Sequence, residues 1–122
     1  LNGQAYALQA RAYEARKQAW RSRQLFALGL DRNPQDHWLL SRYLEFLYRS
    51  GDNSQAMTAA RKHAKATPGS IRAWKTYASV CERAANAACR AEASHGLQSA
   101  MSLYAIDQVP GTPYQRGLFG RL

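Results

Sequence analysis

The feature that most limits what this chain can become is its punctuation. Pro34 and Pro68 stand 34 residues apart, and the two other prolines, Pro110 and Pro113, fall within the last 13 residues. Proline fixes φ and lacks an amide hydrogen, so it interrupts helices and β-ladders alike. Between these marks apolar residues recur at helical spacing. Tyr6, Tyr13, Trp20 and Leu25 combine with small alanines in a run without proline or glycine. Asp36 stands at the head of a second run, Trp38, Leu39, Leu40, Tyr43, Leu44, Leu47 and Tyr48, where a carboxylate suits a helix N-cap. That run stops at Ser50-Gly51-Asp52-Asn53, a turn signal. A small-residue helix follows over about 54–66, and Thr67-Pro68-Gly69-Ser70 closes it, with Ser70 placed to cap a third run through Ile71, Trp74, Tyr77, Ala78 and Cys81. No stretch alternates in the manner of a β-strand. The expected fold is all-α.

A 34-residue period divides the chain into windows 3–36, 37–70 and 71–104. Position 4 of the windows holds Tyr6, Leu40 and Trp74, position 11 holds Tyr13, Leu47 and Cys81, and position 32 holds Pro34, Pro68 and Ser102. Position 20 holds Ser22, Ala56 and Arg90; a one-residue slip in the turn at 84–88 would bring Cys89 or Ala91 there instead of the arginine. Small residues at positions 8 and 20 allow the two helices of a hairpin to approach closely. Bulky residues at 4, 11 and 24 fill the layer between hairpins. One hairpin cannot bury its apolar face, whereas three stacked ones can. The pattern predicts an α-α superhelix of about three helix-turn-helix repeats over 1–104, followed by an extended arm or cap over 105–122. Its Leu118, Phe119 and Leu122 would be sticky if left in water.

These residues resemble the tetratricopeptide repeat, whose pattern places an aromatic at 4, small residues at 8, 20 and 27, Tyr at 11, Gly at 15 and Pro at 32. The first window supplies Tyr6, Ala10, Tyr13, Phe26, Gly29 and Pro34, the second Gly51, Ala56 and Pro68, and the third Trp74 and Ala78. The related half-a-TPR repeat of RNA-processing scaffolds favours Trp-x2-Tyr, which Trp74 and Tyr77 match. Both resemblances imply a hairpin stack whose first helices line a concave groove and whose second helices lie outside. The groove positions fall on Arg11, Glu14, Trp38, Glu45, Tyr48, Arg49, Arg72, Lys75, Glu82 and Arg83. Such a groove suits an extended peptide with acidic groups or a free carboxylate. The chaperone-type carboxylate clamp of the family is not expected, because Ala7, Arg42 and Thr76 depart from it.

Composition enters through charge. In 122 residues there are 17 Lys+Arg against 8 Asp+Glu, a formal charge of +9, with no polybasic tail. Arg16, Lys17, Arg21 and Arg23 concentrate on what reads as the second helix of the first repeat, and Arg61, Lys62 and Lys65 on the equivalent helix of the second. A solvated basic outer face is one reading; contact with nucleic acid or acidic lipid is the other. The length suits one domain, and no run of about 18 apolar residues forms a membrane span. Leu1 in place of Met reads as a processed chain or an excised domain.

Chemistry is sparse. His37, His63 and His95 belong to no HExxH motif, and no GxSxG or phosphate-binding glycine loop occurs. His63 falls at a helix-packing position, which suits a core or boundary histidine. No catalytic set, metal site or cofactor is expected. Cys81 and Cys89 flank the third turn and can either face each other as a disulfide or pack as small apolar residues. A disulfide would place the chain in an oxidising compartment such as a periplasm; free thiols suit the cytoplasm. The expected function is a non-enzymatic interaction module that binds a protein partner or acidic peptide segment in its groove. The alternatives are a half-a-TPR-like scaffold in an RNA-processing particle, using its basic outer face, and a component of a bacterial envelope or secretion assembly.

Overall fold

A computed structural model describes residues 2–108. Six helices follow one another: α1 Gly3–Ala15, α2 Ala19–Arg32, α3 His37–Arg49, α4 Asn53–Ala66, α5 Ile71–Arg83 and α6 Ala87–Gln108. Among the described residues there is no strand. Consecutive helices pack together, and α1 also rests on α3. The result is a stack of three hairpins, with α1, α3 and α5 forming one layer, here called the inner face, and α2, α4 and α6 the outer one.

The 34-residue period holds at the level of single residues. The first helices begin at Gly3, His37 and Ile71, and the second at Ala19, Asn53 and Ala87. Their caps keep the same spacing. Asn2, Asp36 and Ser70 each accept a hydrogen bond from the backbone amide three residues on, as do Asp52 and Asn86 at the second helices. Each cap satisfies an amide that the helix itself leaves unpaired. The intra-hairpin turns are identical as well. Gln18, Asp52 and Asn86 donate their amides to the carbonyls of Tyr13, Leu47 and Cys81, five residues back. This closure puts the preceding residue in the left-handed region: Lys17 at φ 61°, Gly51 at 71° and Ala85 at 53°. Glycine accepts that conformation freely, whereas Lys17 and Ala85 are held in it by the packed helices on either side.

Between hairpins lies an aromatic and aliphatic core. Phe26 meets Tyr43 and Phe46 with ring centroids 5.3 and 5.5 Å apart, and Leu39, Leu40 and Leu47 are fully buried around them. Within the first hairpin, the Ser22 hydroxyl donates to the Ala10 carbonyl at 2.6 Å, the close approach that small residues at positions 8 and 20 permit. In the third hairpin Arg90 occupies position 20 and is exposed. The turn has not slipped, since α6 starts in register. Instead the buried stripe of α6 moves one residue earlier, to Cys89, Ala93, Gly96 and Ala100. Gly96 makes room for Trp74, whose indole occupies the space a Cβ would need.

Three expectations need correction. Arg16 and Lys17 do not lie on the second helix of the first repeat; they form the turn between α1 and α2, because the hairpin closes without a glycine or proline to announce it. The segment from residue 105 does not begin an extended arm, since α6 continues to Gln108. The slip at 84–88 is a rotation of the packed face and not a change of turn length. The rest of the arm, including Leu118, Phe119 and Leu122, lies outside the described residues.

Candidate functional site

The inner face gathers most of the groove residues named from the sequence, in three places. Arg11, Glu14, Arg42, Glu45 and Arg49 surround a recess of about 370 Å³ between α1 and α3, with Phe26 at its base. Arg49 reaches across it to Glu14 through two hydrogen bonds of 3.1 and 2.8 Å, and this fork raises the Arg49 pKa. Arg42 bonds Glu45 one turn on at 2.7 Å. Its guanidinium also stands 5.7 Å from the Trp38 ring, an indole that remains 45% exposed. Arg11 makes no ion pair among the described residues.

The second place is on α5, where Ile71, Arg72, Lys75, Thr76 and Ser79 line a shallow recess of about 410 Å³. Neither Arg72 nor Lys75 has a carboxylate within ion-pair distance among the described residues. In the third, the Arg83 guanidinium lies 3.9 Å from the centre of the Tyr48 ring, joining α5 to α3. Burial lifts the Tyr48 hydroxyl above its ordinary pKa, and Arg83 opposes that rise. Arg42 is the groove residue that the sequence reading missed as a binding group. Its spacing of four residues from Trp38 on one helix is the signal that could have placed the two together.

The outer face is organised differently. Arg23 on α2 pairs with Asp52, the cap of α4, at 2.5 Å. Lys62 on α4 returns to Asp31 on α2, also at 2.5 Å. Arg61 forks onto Glu92 of α6 at 2.7 and 3.1 Å, with Lys65 at 3.7 Å from the same carboxylate. Tyr77 donates its hydroxyl to Glu92 at 2.6 Å. Arg61 first and Tyr77 second hold the Glu92 pKa down at about 2, while burial and the neighbouring carboxylate push Tyr77 up to about 12. Arg21 lies over the Trp20 and Tyr13 rings at 4.9 and 5.3 Å. Arg23, Arg61, Lys62 and Lys65 therefore tie helix to helix, while the exposed Arg90 of α6 makes no ion pair among the described residues.

Two further constellations complete the molecule. Cys81 and Cys89 form a disulfide with a Cα–Cα distance of 5.3 Å, so of the two sequence readings the paired one holds. It joins position 11 of α5 to the buried stripe of α6. The bond thus sits where Arg90 is excluded. The second is a histidine pair that sequence reasoning did not assemble. His63 is 4% exposed, its Nε2 lies 3.3 Å from His37 Nδ1, and its Nδ1 lies 3.0 Å from the Pro34 carbonyl oxygen. Burial lowers both pKa values, and Arg72 opposes protonation of each ring. Among the described residues no three His, Cys, Asp or Glu side chains converge as metal ligands, and no helix is long and apolar enough to cross a membrane. The chain matches no protein-family model and no curated protein sequence.

Proposed function

We propose that this chain is a tetratricopeptide-like, non-enzymatic interaction module whose inner face binds an acidic peptide segment of a partner protein. One observation carries the reading: the chain's cations divide between two faces. Arg23, Arg61, Lys62 and Lys65 on the outer face are consumed in ties between helices, with Arg21 and Arg90 outside them, while among the described residues Arg11, Arg72 and Lys75 on the inner face have no carboxylate partner. Cations without carboxylate partners are the means by which a groove recognises carboxylates on an extended chain. The same division weighs against an RNA-binding outer face, since a cation already paired releases fewer counterions on meeting phosphate. The Cys81–Cys89 disulfide favours an oxidising compartment and so a place in an envelope or secretion assembly over a cytoplasmic one.

The test is a charge reversal on each face. Arg72→Glu with Lys75→Glu should weaken binding of a hexa-aspartate peptide by about tenfold or more, an effect of about 1.4 kcal/mol, without altering the melting temperature. Lys62→Glu with Lys65→Glu, a matched double reversal on the outer face, should leave affinity within about twofold, since any effect there is long-range and screened. Fluorescence anisotropy with a labelled peptide reads both. Equal loss from the two faces would mean that binding follows net charge and that the inner face is not the site.

A further inference from the structure

The two interfaces between hairpins follow one plan and are filled differently. In the second, Tyr77 donates its hydroxyl to Glu92, and Arg61 forks onto the same carboxylate. Moved back by the 34-residue period, these three positions are Tyr43, Thr58 and Ala27. The tyrosine recurs, but smaller neutral side chains stand where the glutamate and the arginine would be. At that place a recess of about 220 Å³ opens between α2 and α4, lined by Ala27, Tyr43 and Thr58 together. Tyr43 is 1% exposed, and its hydroxyl is buried without a hydrogen bond among the described residues. The first interface therefore has the donor of the second without its acceptor, and a space where the acceptor would be.

The rest of the lining limits what can enter. Ala27, Leu30, Pro34 and Ala59 give the recess apolar walls. Its polar groups are mostly spoken for. Both ring nitrogens of His63 are engaged, one by His37 and the other by the Pro34 carbonyl. Lys62 and Asp31 neutralise each other. What remains is the Tyr43 hydroxyl, with Gln55 in the same wall, close enough to influence its ionisation but outside hydrogen-bond geometry. Thr58 is exposed, so the recess opens to water on the outer face. Packed interiors seldom leave a space of this size. An apolar cavity of about 150 Å³ already admits benzene, so this one has room for a six-membered ring and one polar group.

We infer that this recess is a binding site for a small neutral molecule, an aromatic ring bearing one hydroxyl or carbonyl oxygen that accepts a hydrogen bond from Tyr43. The ligand takes the place that Arg61 and Glu92 fill in the next interface. Its neutrality follows from the repeat. Ala27 and Thr58 remove one cation and one anion together, so an ion entering the recess would lose its hydration with no opposite charge to offset the loss. Its oxygen follows from Tyr43, whose buried hydroxyl gains from any acceptor brought to it. The site lies on the outer face and does not depend on peptide binding at the inner one.

The experiment titrates phenol into the full chain, with toluene as the same shape lacking the oxygen, and follows the amide and methyl NMR signals. Phenol should produce saturable shifts at Ala27, Thr58 and Ala59, with a Kd of about 1 mM or tighter. Toluene should bind more weakly by about fivefold or more. Tyr43→Phe should erase the difference between the two ligands and leave the melting temperature unchanged or higher, since the hydroxyl it removes has no partner. Ala27→Arg with Thr58→Glu, which installs the pair of the next interface, should abolish phenol binding; Ala27→Leu makes the same test by volume alone should the double variant not fold. Shifts that never saturate, or that gather away from the recess, overturn the site. Phenol binding that survives in the filled variants does the same. Equal binding of phenol and toluene to the wild type overturns the bond to Tyr43, as does a lower melting temperature in Tyr43→Phe, which would mean that the hydroxyl already has a partner.

Discussion

The two faces of the stack carry similar residues and put them to different uses. On the outer face Arg23, Arg61, Lys62 and Lys65 each reach a carboxylate on a neighbouring outer helix or its cap. On the inner face Arg49 and Arg42 are engaged by Glu14 and Glu45, Arg83 by the Tyr48 ring, and Arg11, Arg72 and Lys75 by no carboxylate among the described residues. The difference teaches that a formal charge of +9 is a poor guide to where this protein is attractive to anions. What decides it is which cations have been spent on holding hairpins in place. Exposed ion pairs of this kind are individually weak, but Glu92 gathers Arg61, Lys65 and Tyr77 from two helices and so fixes α6 against both α4 and α5.

The contrast can be broken at several points, beginning with the largest effect. The outer lattice includes Glu92 of α6, and Cys89 ties that helix to α5. Reducing the disulfide, or replacing both cysteines by serine, should cost about 2.5 kcal/mol on the loop-entropy account, with a sequence separation of 8 between the joined residues. Urea unfolding with and without reductant measures this. If α6 also turns, the NMR signals of Glu92 and Tyr77 will shift together; unchanged signals would mean that the lattice stands without the bond.

Next comes acid. The Glu92 pKa is depressed from 4.5 to about 2 in the fold, so its contribution is fully present above 4.5 and is lost as pH falls toward 2. Glu92→Gln should flatten that part of the stability profile and leave peptide affinity on the inner face unchanged. The two histidines act in a higher window with the same sign. Their folded pKa values lie below 6.5, so the stability they confer is present above that value and is lost as pH falls further. Thermal melts across the acid range in wild type and Glu92→Gln separate the two.

The smallest change concerns the turn that delivers α6 to the outer face. Ala85 holds φ 53° at the repeat position where the second hairpin has Gly51 at φ 71°. Ala85→Gly should stabilise the fold by about 1 kcal/mol, because glycine enters the left-handed region without the Cβ penalty. The mirror substitution, Gly51→Ala, should destabilise by a similar amount although nothing crowds its Cβ. Neither should alter the division of charge between the faces. Calorimetry on the two variants is the check.

Local physics made much of the fold legible. Asp36 and Ser70 announce their helices because a side-chain oxygen and the amide it caps are three residues apart, and Gly51-Asp52 announces its turn for the same reason. The turn at Lys17 was not legible, since there the packed helices impose a conformation that the residue itself does not favour. The inner-face residues were legible only through the 34-residue period. Their pairings were not: Arg49 with Glu14 and Arg83 with Tyr48 join residues 35 apart.

Legible from the sequence were three hairpins, their spacing and the caps Asp36 and Ser70. All of these rest on interactions within one helix turn or on a proline that no helix interior accepts. Only the tertiary structure decided which cations are tied, which cysteine faces which, and that His37 and His63 share a hydrogen bond. Each of those depends on the rotation of one helix against another, and a shift of one residue turns a helix face by about 100°. Arg90 shows the consequence: its repeat position predicts burial, and a rotation of the packed stripe by one residue puts it in water and Cys89 in the core.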